Sequence, residues 1–203
     1  MINPIINNFN IAKNWKLGLM LLLILSFSIT NAQEATSEPS FAPLKTTEKA
    51  EQLIDRKNFK VIGQTTFTVL FWDIYSSQLL TSSGNYPAKI DDELLFDINY
   101  LADISSEDLI KRTIEQWQHL GVPEAIYQSY LPQLKQMWPN IKDGDSLSLL
   151  VEQGSSHFYF NERYLGVIDE TEFSEIFLSI WLSENTSQPE LRDELLGQVA
   201  GEP

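Results

Sequence analysis

Residues 65–81, TTFTVLFWDIYSSQLLT, decide the fold of this 203-residue chain. The stretch is dense in β-branched and aromatic residues and contains neither Gly nor Pro. That composition is typical of a pleated, half-buried strand. The stretch is too long for one strand of about 5–6 residues. We therefore expect it to bend or break near Asp73, or to belong to a large sheet.

Other strand patterns surround this stretch. Strands are predicted over residues 60–64, 94–101, 146–152, 156–160 and 164–168. Short polar turns separate the last three, so they are expected to pair in an antiparallel manner.

Helical spacing predicts four helices, over about residues 105–121, 124–137, 169–182 and 187–197. Ser105 or Ser106 can cap the first helix, and Pro132 is expected to kink or split the second. Asp169 with Glu172 predicts a capping arrangement for the third. Strands, helices, strands and helices in this order indicate an α+β fold, with the helices on one face of a mainly antiparallel sheet.

The first 32 residues predict a secretory signal peptide. Lys13 and Lys16 precede an apolar run at 17–29, and small residues lead to Ala32. About 13 residues of helix span about 20 Å, which is short of the hydrocarbon core of a bilayer. We expect cleavage after Ala32, a periplasmic or secreted location, and no stable membrane span afterwards. The alternative is an uncleaved N-terminal membrane anchor.

The remainder reads as one domain between two short polar segments. Residues 33–47 are polar with two prolines, which predicts a flexible leader. Residues 48–197 form the predicted domain, and 198–203 form a tail.

The charge balance limits the partners. The formal net charge is −14, and the predicted signal carries two lysines and no acid, so its removal makes the chain more acidic. Such a chain repels phosphate backbones, and no nucleic-acid partner is expected. The absence of Cys excludes disulfides and thiolate chemistry.

The sequence carries no recognisable motif for a metal or a cofactor, and neither is expected. His119 and His157 lack a partner at ligand spacing. Asp143 and Asp145 flank Gly144 in what reads as a tight turn, without the other ligands of a calcium loop.

Arginine is the scarcer and more informative charge. Arg163 falls in a predicted turn, 161–163, between two aromatic strands. The planar guanidinium could hold a carboxylate or phenolate beside an apolar sheet face. The alternative is an arginine solvated in a hairpin turn.

Three blocks of sequence together resemble the chalcone isomerase-like family of bacterial exported proteins. They are FTVLFWDIY at 67–75; LADI at 101–104 with LIKR at 109–112 and Trp117; and FLSIWL at 177–182 with SQPELR at 187–192 and LLG at 195–197. The resemblance covers about residues 55–197. It implies an open-faced β-sandwich, in which a large antiparallel sheet carries a layer of helices on one side.

The resemblance implies two kinds of activity. The plant enzymes of this fold cyclise chalcones to flavanones, and other relatives bind fatty acids through an Arg and a Tyr. Counting along the blocks places the five polar catalytic positions of the enzymes at or near Asn58, Leu70, Ser105, Arg112 and Arg163. None of the five residue types is retained. Because each lost donor costs about 10²–10³ in rate, no flavanone-forming activity and no catalytic residue is expected.

The resemblance therefore predicts a non-catalytic binding module for a small apolar or fatty-acid-like ligand, held in a cleft between the sheet and the helices. The predicted ligand-binding residues are Arg163, Arg112, Leu70, Trp72, Tyr75 and Tyr159. Two alternatives stay open: an isomerase of the intramolecular lyase type with another substrate, and a scaffold protein of the cell envelope.

Overall fold

A six-stranded antiparallel sheet lies at the centre of the structure, a computed structural model that describes residues 54–89 and 91–198. Its strands are β1 (Lys60–Val69), β2 (Trp72–Thr81), β3 (Leu94–Tyr100), β4 (Ser146–Glu152), β5 (Ser155–Phe160) and β6 (Arg163–Ile168). Each strand pairs with the next in chain order, so the sheet is a meander. The predicted antiparallel sheet and α+β class are confirmed. The predicted signal peptide at 1–32, the leader at 33–47 and residues 199–203 of the tail lie outside the described residues.

The stretch at 65–81 is a hairpin and not one bent strand. β1 ends at Val69, which pairs with Trp72, so Leu70 and Phe71 alone form the turn. The break predicted near Asp73 lies two to three residues earlier, at Leu70 and Phe71. There the chain reverses its direction completely. A register shift between Phe67 and Thr68 accompanies the turn.

Residues 54–89 and 91–198 form five α-helices: α1 (Ser106–His119), α2 (Glu124–Tyr127), α3 (Leu131–Met137), α4 (Thr171–Leu182) and α5 (Pro189–Leu195). Ser105 caps α1 by accepting a hydrogen bond from the Asp108 backbone N–H. The predicted second helix is split into α2 and α3, and Pro132 lies in the first turn of α3. The capping prediction at Asp169 was wrong: Glu170 is the N-cap residue of α4 without a side-chain bond, and Asp169 accepts from Ser155 instead.

Aromatic side chains fill the layer between the sheet and the helices. Phe173 of α4 is fully buried, and its ring lies 5.0–6.5 Å from the rings of Trp117, Tyr130, Phe158 and Phe177. The Trp117 indole N–H donates to the Ile176 carbonyl at 2.9 Å, which ties α1 to α4. Burial of these large rings is the main stabilising contribution to the fold.

The other face of the sheet carries a row of polar and aromatic side chains in register across all six strands. The row consists of Gln64, Gln78, Asp97, Ser148, Tyr159 and Tyr164. A short 3₁₀ helix, Arg56–Asn58, lies against this row, because the Arg56 guanidinium pairs with Asp97 and lies 3.4 Å from Ser148 Oγ.

Candidate functional site between the sheet and helices α4 and α5

Five side chains that carry hydrogen-bonding groups interrupt the apolar layer near β1 and β2. We call them the β2 cluster: Thr65 on β1, Tyr75 and Ser77 on β2, Trp181 on α4 and Glu194 on α5. The cluster is the most polar group of side chains that we find on the helix-facing side of the sheet.

Strand alternation and register place the β2 members of the cluster. Ser77 pairs with Thr65 on one side and with Ile98 on the other, and Tyr75 pairs with Phe67 and Tyr100. Alternate residues of a strand share a face, so Tyr75 and Ser77 point the same way as Leu79 and as the core residues of β3. Their hydroxyl-bearing side chains are therefore turned toward the helices.

Two hydrogen bonds connect this face to the helices above it. The Trp181 indole N–H donates to the Tyr75 hydroxyl at 3.1 Å. The Thr65 hydroxyl donates to a carboxylate oxygen of Glu194. α4 thus holds one side of the cluster and α5 the other.

Ser77 is the member without a partner. The residue is fully buried, and its hydroxyl has no hydrogen-bond partner among the residues that the structure describes. An unsatisfied buried hydroxyl costs about 1–3 kcal/mol. Ser77 therefore has a donor and two acceptor lone pairs available inside an otherwise apolar layer.

The electrostatics of the cluster favour neutral hydroxyls. Burial raises the pKa of Tyr75 to about 12, and the hydrogen bond from Trp181 opposes that rise. Burial also raises the pKa of the neighbouring Tyr100, and Tyr75 adds to the effect. Both phenols are protonated at neutral pH, so Tyr75 can donate a hydrogen bond but is not a base.

Aromatic rings line the approach to Tyr75. The ring of Phe67 stacks on it with centroids 5.3 Å apart, and the ring of Tyr100 meets it edge-on at 6.1 Å. Trp181 in turn lies 4.7 Å from Phe96. Flat apolar walls with a few convergent hydroxyls are the usual composition of a site for an apolar ligand with a polar end.

The structure does not bring the six residues predicted for ligand binding into one site. Tyr75 belongs to the β2 cluster, whereas Leu70 and Trp72 are 84% and 74% exposed at the β1–β2 turn. Tyr159 lies on the opposite face of the sheet, where its ring meets Tyr164 at 5.6 Å. The role of Leu70, Trp72 and Tyr159 in ligand binding stays a prediction.

The two predicted arginines also lie apart from the cluster. Arg163 is the exposed first residue of β6, because the turn consists of Asn161 and Glu162 at φ 48° and 70°. The prediction that Arg163 lies within the turn was wrong by one residue. Arg112 lies on α1 and forms an ion pair with Glu115 at 2.6 Å. Their role in ligand binding stays a prediction.

Sequence reasoning missed Thr65, Ser77, Trp181 and Glu194. A usable signal existed on β2, because Ser77 shares the 75, 77, 79 alternation with Tyr75 and Leu79. A serine flanked by large residues on the inner face of a strand is unusual. No local signal places Glu194 against Thr65, since 129 residues separate them.

A concavity lies along α1, apart from the β2 cluster. It is an open groove of about 800 Å³, lined by Ser106, Glu107, Ile110, Lys111, Ile114, Glu115, Gln118, Lys135 and Asn140. Its floor is apolar, and ammonium and carboxylate groups alternate along its rim. Charges of both signs leave it without a clear preference for one ligand class.

Residues 54–89 and 91–198 contain no group of three side chains that could hold a metal ion. None of the helices within these limits has the length and apolarity needed to cross a membrane.

Comparisons with known proteins agree with this architecture. A fatty-acid binding protein of Arabidopsis thaliana has a similar structure, with a TM-score of 0.56 and 8% identity over 69% of this chain and 87% of that one. A protein of Haemophilus influenzae, described as uncharacterized, is 22% identical over 142 residues, which are 70% of each chain. The model of the chalcone isomerase-like family matches residues 45–197. The chain belongs to the chalcone isomerase-like family.

Proposed function

We propose that this chain is a binding module for a small acyl ligand with an apolar body and one polar head. The observation that carries the proposal is the buried, unpartnered Ser77 hydroxyl, which lies two residues from Tyr75 on the same face of β2. Membership of the family and the likeness of the fold to a fatty-acid binding protein support it.

The polar head would bind between Tyr75 and Ser77. Both side chains project from the same face of β2, and one ligand oxygen would accept from both hydroxyls. Tyr75 accepts from Trp181, so its own proton is available to a ligand. The acyl body would lie along Phe67 and Tyr100. Entry requires movement of α5, a helix of seven residues that covers β1.

The cluster also sets a preference for the head group. Glu194 accepts a hydrogen bond from Thr65, which is the neighbour of Ser77 on the adjacent strand. No arginine or lysine belongs to the cluster. A ligand carboxylate would be repelled by the Glu194 carboxylate, whereas the carbonyl of an ester would not. We therefore expect an acyl ester to bind more tightly than the free acid of the same chain length.

Titration calorimetry with palmitic acid and with methyl palmitate tests the proposal. Ser77→Ala is expected to weaken binding about three- to tenfold, because it removes one hydrogen bond. Ser156→Ala is the matched control, since Ser156 is an equally buried serine with an unpartnered hydroxyl, located on β5. Absence of binding by the parent, or equal losses in both variants, would overturn the proposed site.

We also propose that the chain is exported and cut after Ala32. The support is the apolar run at 17–29 behind Lys13 and Lys16. The N-terminal sequence of protein recovered from the periplasm or medium is expected to begin at Gln33. A bulky residue in Ala32→Trp is expected to block cleavage. Recovery of the parent chain uncut in the membrane fraction would support the anchor alternative instead.

A further inference from the structure

The tip of the β1–β2 hairpin exposes three large apolar side chains in succession. We call Leu70, Phe71 and Trp72 the hairpin tip; they are 84%, 94% and 74% exposed. Isolated exposed apolar residues are common, but a contiguous group of this kind marks an interaction surface for a membrane or a protein.

The backbone of the tip is also unfavourable for its residues. Leu70 has φ 59°, while Phe71 is not left-handed, so the turn has the sign pattern of type II′. That turn normally has Gly at its first central position. A leucine there costs about 1 kcal/mol or more. Neither turn geometry nor solubility explains Leu70 and Phe71, so their exposed side chains need another reason.

We propose that the hairpin tip inserts into the interfacial region of a zwitterionic lipid bilayer. Trp, Phe and Leu are the residues that anchor proteins at this depth, where a ring can remain partly hydrated. A hairpin turn is convex and narrow. It can enter a deformable bilayer without a complementary pocket, which a rigid protein partner would have to supply.

The charge around the tip selects the type of bilayer. No Lys or Arg occurs between Lys60 and Lys89, and the chain as a whole carries a net charge of −14. Asp73 lies next to the tip, where it accepts a hydrogen bond from Thr68 at 2.7 Å. Anionic headgroups would be repelled, so the contact is apolar and favours a neutral lipid surface.

The position of the tip adds a connection with the candidate site. Trp72 is three residues from Tyr75, and the Phe67 and Tyr100 rings that line the β2 cluster lie at the same end of the sheet. If the proposed function holds, an acyl ligand leaving a bilayer would meet this end first. Insertion of the tip itself does not depend on that function.

Fluorescence quenching tests the proposal. The full protein, as purified from cells, is mixed with phosphatidylcholine vesicles that either carry or lack brominated acyl chains. Bromine quenches tryptophan at close range, and the difference between the parent and Trp72→Phe isolates the signal of Trp72 from that of the remaining tryptophans. We expect Trp72 to be quenched, and the quenching to persist at high salt. Addition of anionic phosphatidylglycerol is expected to weaken it.

A turn replacement separates the lipid contact from the fold. Leu70→Gly with Phe71→Ser suits a type II′ turn, so thermal stability is expected to be retained or raised while the quenching of Trp72 falls about tenfold or more. Val61→Ser is the matched control, because Val61 is 54% exposed and lies far from the turn on β1.

Three outcomes would overturn the proposal. The first is unquenched Trp72 in phosphatidylcholine vesicles. The second is quenching that rises with the anionic lipid fraction. The third is concentration-dependent self-association in sedimentation that Leu70→Gly with Phe71→Ser abolishes, because the tip would then be a contact between copies of the chain. A failure of acyl-ligand binding with intact Trp72 quenching would reject the proposed function alone.

Discussion

At the scale of single residues, Tyr75 connects the sheet with the helical layer. Its hydroxyl accepts from Trp181, and its ring packs between Phe67 and Tyr100. Burial raises the pKa of this phenol to about 12, since a phenolate would lose its hydration. The same burial that keeps Tyr75 neutral at physiological pH makes it a source of alkaline sensitivity.

The alkaline sensitivity has a definite sign. Below pH 10 both the folded and the unfolded chain hold the Tyr75 proton. Between pH 10 and about 12 only the unfolded chain loses it, so the free energy of unfolding falls as the pH rises. In Tyr75→Phe the free energy of unfolding is expected to fall less steeply with pH, by the contribution of about one proton to the slope. Urea unfolding at several pH values from 9 to 12 measures the slope; equal slopes in both proteins would contradict the assignment.

At the scale of secondary-structure elements, Gly63 sets the distance between β1 and α5. A Cβ at this position would lie 2.5 Å from the Leu195 carbonyl oxygen and closer still to that of Glu194. These are backbone atoms, which cannot rotate away. The close approach allows α5 to place Glu194 over Thr65, so a residue without a side chain helps to assemble the β2 cluster.

Gly63→Ala is therefore expected to destabilise the fold by about 2–3 kcal/mol, because α5 must move away from β1. Gly166→Ala is the matched control. Its Cβ would meet the Met137 sulfur at 2.5 Å, but a methionine side chain can change its rotamer. Thermal and urea unfolding should show the larger loss in Gly63→Ala. A loss that is equal in the two variants would show that backbone contact with α5 is not decisive.

At the scale of the whole molecule, Arg56 ties the first described segment to the centre of the sheet. Its guanidinium pairs with Asp97 on β3 and lies 3.7 Å from Glu162 in the β5–β6 turn. The side chain of Asp97 is 3% exposed, and one of its oxygens has no hydrogen-bond partner among the described residues. The carboxylate therefore depends on a charge that is 41 positions earlier in the chain.

Loss of one partner of such a pair leaves a buried charge unpaired. We expect Arg56→Ala to cost about 3 kcal/mol, the lower end for buried pairs, because Arg56 itself stays partly exposed. Asp97→Asn combined with Arg56→Ala should recover part of this loss, since no charge then remains buried. Urea unfolding of the two single variants and the double variant gives the coupling. Additive losses would mean that the two side chains act independently.

The sequence by itself determined most of the secondary structure and the fold class. Alternation, Gly and Pro positions and the Ser105 cap depend on neighbouring residues only, so local patterns predict them well. Local patterns did not predict the turn at Leu70 and Phe71, because it lacks every residue that normally marks a hairpin. Its conformation is imposed by the pairing of the two strands around it.

The candidate site was decided by the tertiary structure. Tyr75 was predicted from its strand, but Thr65 meets Glu194 across 129 positions and Tyr75 meets Trp181 across 106. Such contacts depend on which helix packs over which strand, and no local pattern encodes that choice. For the same reason, the six residues predicted to bind the ligand lie at separate places in the fold. Sequence thus determined which surfaces are apolar, and packing decided which side chains meet.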